Sequence, residues 1–301
     1  MNRRLLVTGA GGFVAGSVIR QAGPEWEVHA LSRGAAACER DGLHWHSFDL
    51  RDVERLRETF RDAQPDAVIH AAAVADIDYC EAHPDEAKQV NAEVTRELAR
   101  LCGERRSRFV YLSTDTVFDG VKGFYSEKDP PGPLNVYAET KVMGEEAAAG
   151  MPEGWAVART SLVMGFPVLE TGNSFLSRMV PKFEAGEQVG VPENEIRSPI
   201  DVITLGQALL ELAASEWSGF IHLAGNDVLN RYEMVCRIAT RLGFSSELVF
   251  ASDPGAIPGR APRPRDASLN NALARGLLKT PMLGLAEGLE RVIAAREGNQ
   301  P

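Results

Sequence analysis

Short apolar runs alternating with longer helix-like stretches through the first half of the chain limit its possible folds more than any other feature. The runs Arg4–Thr8, Glu27–Ser32, His44–Phe48, Ala67–Ala71, Arg108–Ser113 and Trp155–Arg159 read as strands. Val14–Ala22, Val53–Ala63, Pro84–Gly103 and Val136–Ala149 read as helices between them. Strands joined through helices run parallel, and right-handed crossovers then build one doubly wound α/β sheet covered on both faces.

The first strand runs directly into Thr8-Gly9-Ala10-Gly11-Gly12-Phe13-Val14, which opens a helix. Glycines at such a turn let backbone N–H groups approach a pyrophosphate at the positive end of the helix, so Gly9, Gly11, Gly12, Phe13 and Val14 are candidate dinucleotide-binding residues. The spacing Gly9, Gly12, Ala15 departs from the strict fingerprint, and a plain strand-to-helix turn has the same composition. About 20 residues on, dinucleotide folds place the group that reads the adenosine ribose. This chain has Ser32-Arg33 there, a hydroxyl and a guanidinium where an NAD-binding site has a carboxylate. That pair suits a 2′-phosphate, so NADP(H) is the expected cofactor, with NAD a possible one.

Acid–base chemistry is suggested by Ser113-Thr114 at the end of an apolar strand and by Tyr137 and Lys141 on a later helix. Residues four apart on a helix share a face, so an ammonium can lie beside the phenol and lower its pKa toward the range useful for proton transfer. The hydroxyl at the strand end can bind the reacting oxygen.

The formal net charge of −10 repels nucleic acid and anionic membranes, so an anionic substrate needs a local basic site. Arg197 and Arg263 are candidates for it, and Asp115 and Glu127 for contacts to substrate hydroxyls. Cys38, Cys80, Cys102 and Cys236 lie far apart without a CxxC pair, which fits free thiols in a reducing compartment. His44 and His46 alternate on a strand without a third ligand nearby, and His70 reads as a packed strand-end histidine, so no metal site is assigned. No apolar window is long enough to cross a membrane and the N-terminus lacks a signal-like segment, so the expected location is the cytoplasm.

Beyond residue 165 the pattern loosens. Phe175–Ala185, Leu205–Ser215 and Arg231–Leu242 read as helices and Gly219–Leu223 as a strand, while the proline-rich stretch 257–265 must be extended or turning. The expected division is a dinucleotide-binding domain over 1–165, to which later segments return, and a mainly substrate-binding lobe over 166–301.

Taken together, Thr8-Gly9-x-x-Gly12, Ala71-Ala72-Ala73, Ser113-Thr114-Asp115-x-Val117-Phe118-Asp119-Gly120 and Tyr137-x-x-x-Lys141-x-x-Gly144-Glu145 resemble the extended short-chain dehydrogenases, most closely the dTDP-4-dehydrorhamnose reductase group. The resemblance continues in Asp78-x-x-Glu81, Val90-Asn91, Arg159-Thr160-Ser161, Arg197-Ser198-Pro199 and Arg263-Pro264-Arg265-Asp266. It implies a Rossmann domain with a small C-terminal α/β substrate lobe and an NADPH-dependent oxidoreductase that reduces a 4-keto group on a nucleotide-linked sugar. Within it, Tyr137 would donate the proton, Lys141 would tune the phenol and hold the nicotinamide ribose, and Thr114 would orient the carbonyl. Asp49 and Leu50 would flank the adenine, Ala71, Ala72 and Ala73 would line the cofactor path, and a homodimer is the family's default. Thr116 and Leu162 stand where the rhamnose-pathway reductases usually show aromatic residues, so a related nucleotide sugar or another carbonyl compound is an equal expectation. Two alternatives stay open: a nucleotide-sugar 4-epimerase, and a non-catalytic nucleotide-binding regulatory subunit of the methionine adenosyltransferase β type.

Overall fold

The computed structural model describes residues 2–169, 174–253, 255 and 259–297; Ile257 and Pro258 of the proline-rich stretch lie outside them. Seven parallel strands form the central sheet: β1 (Arg3–Thr8), β2 (Trp26–Ser32), β3 (Leu43–Ser47), β4 (Ala67–His70), β5 (Arg108–Thr114), β6 (Trp155–Thr160) and β7 (Gly219–Leu223). Their order across the sheet is β7-β6-β5-β4-β1-β2-β3, the Rossmann arrangement. Strand order reverses between β1 and β4, and ligands of such sheets bind at the carboxyl ends of the strands flanking that reversal.

The continuous apolar runs follow from burial on both faces. Leu5, Val7, Val28, Ala30, Ile69 and Ile221 pack against Val18 and Ile19 of helix α1 (Phe13–Gln21) and Leu205 and Leu209 of the helix Val202–Ala214. On the opposite face Leu6, Leu31, Val68, Phe109 and Val157 meet Leu56 and Phe60 of α2 (Val53–Ala63), Leu98 of α3 (Val94–Arg105) and Ala148 of α4 (Val136–Ala149). Leu5, Leu6 and Val7 are all fully buried because neighbouring side chains point to opposite covered faces.

The stretch Pro84–Gly103 does not form a single α-helix: a π-turn over Gln89–Glu93 separates Pro84–Lys88 from α3. A second apolar cluster, with Leu176, Phe183, Ile238 and Leu289, joins the helices Phe175–Glu184, Arg231–Arg241 and Leu285–Glu297 into the smaller lobe. The chain leaves that lobe to contribute β7 and the helix Val202–Ala214 to the sheet, then returns. No helix among the described residues is long and apolar enough to cross a membrane.

Candidate active site

The groove begins where β1 turns into α1. Gly9 has φ +73°, and a Cβ there would lie 2.8 Å from Ala72 Cα, so only glycine lets this turn rest on the chain leaving β4. Gly12 donates its N–H to Gly9 O at 2.7 Å and caps α1 without any side-chain bond to the helix amides. A bare helix N-terminus above a glycine floor fits a dinucleotide pyrophosphate.

Two connected hollows share Gly9, Gly12, Ala71 and Ala73. One, about 560 Å³, carries Gly11, Ser32, Arg33, Asp49, Leu50 and Ala72. Exposed Arg33 stands at its rim, whereas the buried Ser32 hydroxyl donates to Gly34 O at 2.8 Å. Asp49 is held by a bidentate Arg51 guanidinium, whose hydrogen bonds lower the carboxyl pKa. The other hollow, about 480 Å³, holds Phe13, Val14, Thr114, Tyr137 and Lys141. A larger cavity of about 690 Å³ lies behind α1, between Ile19, Phe166 and Val292, away from Thr114, Tyr137 and Lys141.

A directional hydrogen-bond chain fixes the floor between the hollows. Thr95 Oγ1 donates to Asn91 O at 2.7 Å, so it accepts from His70 Nε2 at 2.9 Å. His70 Nδ1 then accepts from Thr8 Oγ1 at 2.6 Å, and Thr8 Oγ1 accepts the Ala72 N–H at 3.2 Å. Burial, helped by the Lys141 charge, lowers the His70 pKa to about 3 and keeps the ring neutral, as this chain requires. Asn91, in the π-turn, accepts from Val74 N at 2.8 Å and donates to Thr140 Oγ1 at 3.0 Å, tying the loop after β4 to the helix that carries Tyr137.

Tyr137 sits in the first turn of α4. The N-cap Asn135 accepts from Ala138 N at 2.9 Å and donates to Pro262 O at 2.8 Å, fixing that turn to the C-terminal loop. Gly144, two turns on, lies where any Cβ would collide with the Tyr111 hydroxyl, so glycine lets α4 approach β5. Lys141 is buried; its Nζ donates to Leu112 O at 2.7 Å and lies 4.2 Å from the centre of the Tyr111 ring. Desolvation lowers its pKa to about 7, with Glu145 acting in the opposite direction. Glu145 is anchored in turn: Arg159 grips it at 2.9 and 2.7 Å and Ser113 Oγ donates to it at 2.6 Å, all three buried.

The lysine does not lower the phenol pKa here. Burial raises the half-buried Tyr137 above its ordinary value, Asp115 adds to the rise, and a hydrogen bond with Thr114 opposes it. Tyr137 is therefore held as a protonated acid. Asp115 is buried beside Thr114 and accepts from Ser161 Oγ at 2.8 Å; burial raises its pKa despite Arg197 Nε at 3.6 Å.

The cleft wall toward the smaller lobe is basic. Arg178, Arg197, Arg231 and Arg263 line it together with Glu195 and Asp115. Buried Arg197 donates to the carbonyls of Ile196, Arg265 and Pro264, and Arg263 forms a bidentate pair with Asp78 at 2.8 and 2.7 Å. Glu195 is paired with Arg231 at 3.0 Å and with Arg260. Thr116 and Leu162 line the same cleft, whereas Glu127 accepts from His222 N outside the residues that line it. Asn91, Glu145, Arg159, Glu195 and Arg231 were given no role by sequence reasoning, because each acts through partners distant in the chain.

The family model described as the RmlD substrate binding domain matches residues 3–297. The chain belongs to this family. RmlD-type proteins are extended short-chain dehydrogenases, and related sequences include the methionine adenosyltransferase 2 subunit beta of Bos taurus. That protein is 31% identical over 298 residues, covering 96% of this chain and 87% of the relative. The dTDP-4-dehydrorhamnose reductase of Sinorhizobium fredii is 30% identical over 231 residues, covering 74% of this chain and 73% of that protein. In structure, the dTDP-4-dehydrorhamnose reductase of Bacillus anthracis, crystallised with NADP, superposes with a TM-score of 0.87 at 24% identity, covering 98% of this chain and 99% of that one. This RmlD-type chain therefore shares its fold with a reductase and its sequence with both reductases and a subunit of another enzyme.

Proposed function

We propose that the chain is an NADPH-dependent reductase acting on a 4-keto group of a nucleotide-linked sugar. The observation that carries this reading is the convergence of Thr114, Tyr137 and Lys141 on one cleft, joined through Gly9 and Gly12 to a hollow rimmed by Arg33. A bound nicotinamide cofactor supplies the hydride. Tyr137, kept protonated by burial, delivers the proton to the developing alkoxide, and Thr114 and the Lys141 ammonium orient the carbonyl and stabilise charge at that end of the cleft. Arg33 binds the 2′-phosphate, and the arginine-lined wall carrying Arg178 and Arg231 receives the substrate diphosphate in a chain of net charge −10.

The test follows NADPH oxidation against a panel of dTDP- and UDP-linked 4-keto sugars. Turnover of one of them, abolished in Tyr137→Phe, supports the reading. Tightly retained NAD with C4 inversion and no net oxidation would establish the epimerase instead. The 31% identity to the Bos taurus subunit favours one further reading, a regulatory partner of methionine adenosyltransferase. Stable association with such a catalytic subunit, unaffected by Tyr137→Phe and without keto-sugar turnover, would replace the reductase assignment.

A further inference from the structure

Away from the cleft, the outer edge of the sheet gathers three of the chain's six histidines. Parallel pairing of β2 with β3 sets His29 directly beside His44 and Leu31 beside His46. Because side chains alternate along a strand, Glu27 and His29 from β2 share a face with His44 and His46 from β3. The rings of His29 and His44 stack with centroids 4.8 Å apart, and those of His29 and His46 at 5.3 Å. His44 Nε2 donates to Glu27 Oε1 at 2.8 Å, and one of His29 Nδ1 and His46 Nε2 donates to the other at 3.1 Å. One ligand atom each from Glu27, His29 and His44 falls within a 4.8 Å span.

We propose that Glu27, His29, His44 and His46 form a binding site for one divalent transition-metal ion of the zinc class, which clamps β2 to β3. Imidazole nitrogens with one carboxylate oxygen are the donor set of Zn²⁺, Ni²⁺ and Cu²⁺, whereas Mg²⁺ and Ca²⁺ take oxygen ligands. Two nitrogens bound to one tetrahedral zinc at about 2.0–2.1 Å lie roughly 3.3 Å apart, so the present spacings convert to coordination by side-chain rotation on a rigid pair of strands. Arg4, hydrogen-bonded to Gln64, and Arg55, over the Phe48 ring, bring positive charge near His29 and His46, which Glu27 and Asp62 oppose. Strand register supplies the ligands that the sequence around His44 and His46 lacks. The strands so clamped end in Ser32 and Ser47, immediately before Arg33 and two residues before Asp49 of the cofactor groove.

The test is independent of turnover. Full-length protein stripped with EDTA is titrated with Zn²⁺ by calorimetry and with Co²⁺ by visible absorption. The expected result is one equivalent bound, at least tenfold weaker binding in His29→Ala and in His44→Ala, and no change in His83→Ala, which removes an exposed histidine outside the cluster. Co²⁺ gives visible bands in the wild type that both cluster variants lose, and Zn²⁺ raises the wild-type melting temperature alone. His29→Gln, which keeps a hydrogen-bonding side chain, serves where His29→Ala fails to fold. Absence of saturable binding, binding that survives the cluster substitutions, or loss in His83→Ala overturns the proposal.

Discussion

Lys141 is 3% exposed, and burial lowers its pKa from the usual 10.5 to about 7. Its ammonium is charged in both folded and unfolded chains below pH 7, and there the folded state bears the full desolvation cost, about 5 kcal/mol at about 1.4 kcal/mol per pKa unit. As pH rises through 7 the folded lysine loses its proton while the unfolded one keeps it. The cost then falls to about 2 kcal/mol at pH 9 and disappears near 10.5, so stability increases with pH across this window. Lys141→Met removes the cost but leaves the Leu112 carbonyl without its Nζ donor, a loss of about 1–3 kcal/mol. The variant should thus be more stable than wild type by about 1–3 kcal/mol at pH 7, near 2–6 °C in melting temperature, with the gain vanishing close to pH 9. It should also lose at least about 100-fold in kcat/KM. Differential scanning calorimetry of both proteins from pH 6.5 to 9.5 checks this, and parallel melting curves across the range would refute the desolvated-lysine argument.

Arg33→Ala should weaken NADPH binding about tenfold to 100-fold by calorimetry while leaving NADH binding nearly unchanged, since one charge-assisted hydrogen bond is worth about 1.5–3 kcal/mol. Tyr137→Phe should lower kcat by about 10²–10⁴ with cofactor affinity retained, measured by stopped-flow and by titration. Asn135→Ala removes the cap that holds Tyr137 in the first turn and should cost about 1 kcal/mol in urea unfolding, with a fall in kcat at unchanged cofactor affinity. Glu145→Ala strands the buried Arg159 guanidinium and should cost about 3–5 kcal/mol in urea unfolding.

Strands β1, β4 and β5 were legible in the sequence because parallel strands covered on both faces read as unbroken apolar runs, β1 ending at Gly9, Gly11 and Gly12, whereas the edge strand β3 showed only by its alternation of Leu43 and Trp45 with His44 and His46. The split of Pro84–Gly103 was not legible: the π-turn depends on Asn91 reaching Val74 and Thr140, which no local preference reveals. Tyr137 and Lys141 could be read as a pair because their spacing is local, four apart on one helix face, and Thr114 joined them through its place at the end of an apolar strand. Arg197 and Arg263 read as candidates for an anionic substrate since the carboxylates that face them, Asp115 and Asp78, lie far away in the chain. The direction of the Tyr137 shift was likewise hidden, because burial outweighs the helix spacing that places Lys141 four residues on.

The two functional readings separate along the groove itself. Binding a dinucleotide draws on Gly9, Gly12 and Arg33, while the groups that burial drives toward their neutral forms, Lys141, Asp115 and Tyr137, stand at the other end. Such a cluster costs folding free energy and gives no hold on the adenosine half, so its chemistry is used only where a proton moves. A binding-only subunit carrying Lys141→Met would keep its hold on the adenosine half and its partner, and gain stability without losing any turnover. A reductase gains the same stability and loses turnover, which makes the paired measurement of melting temperature and keto-sugar reduction in this one variant decisive between them.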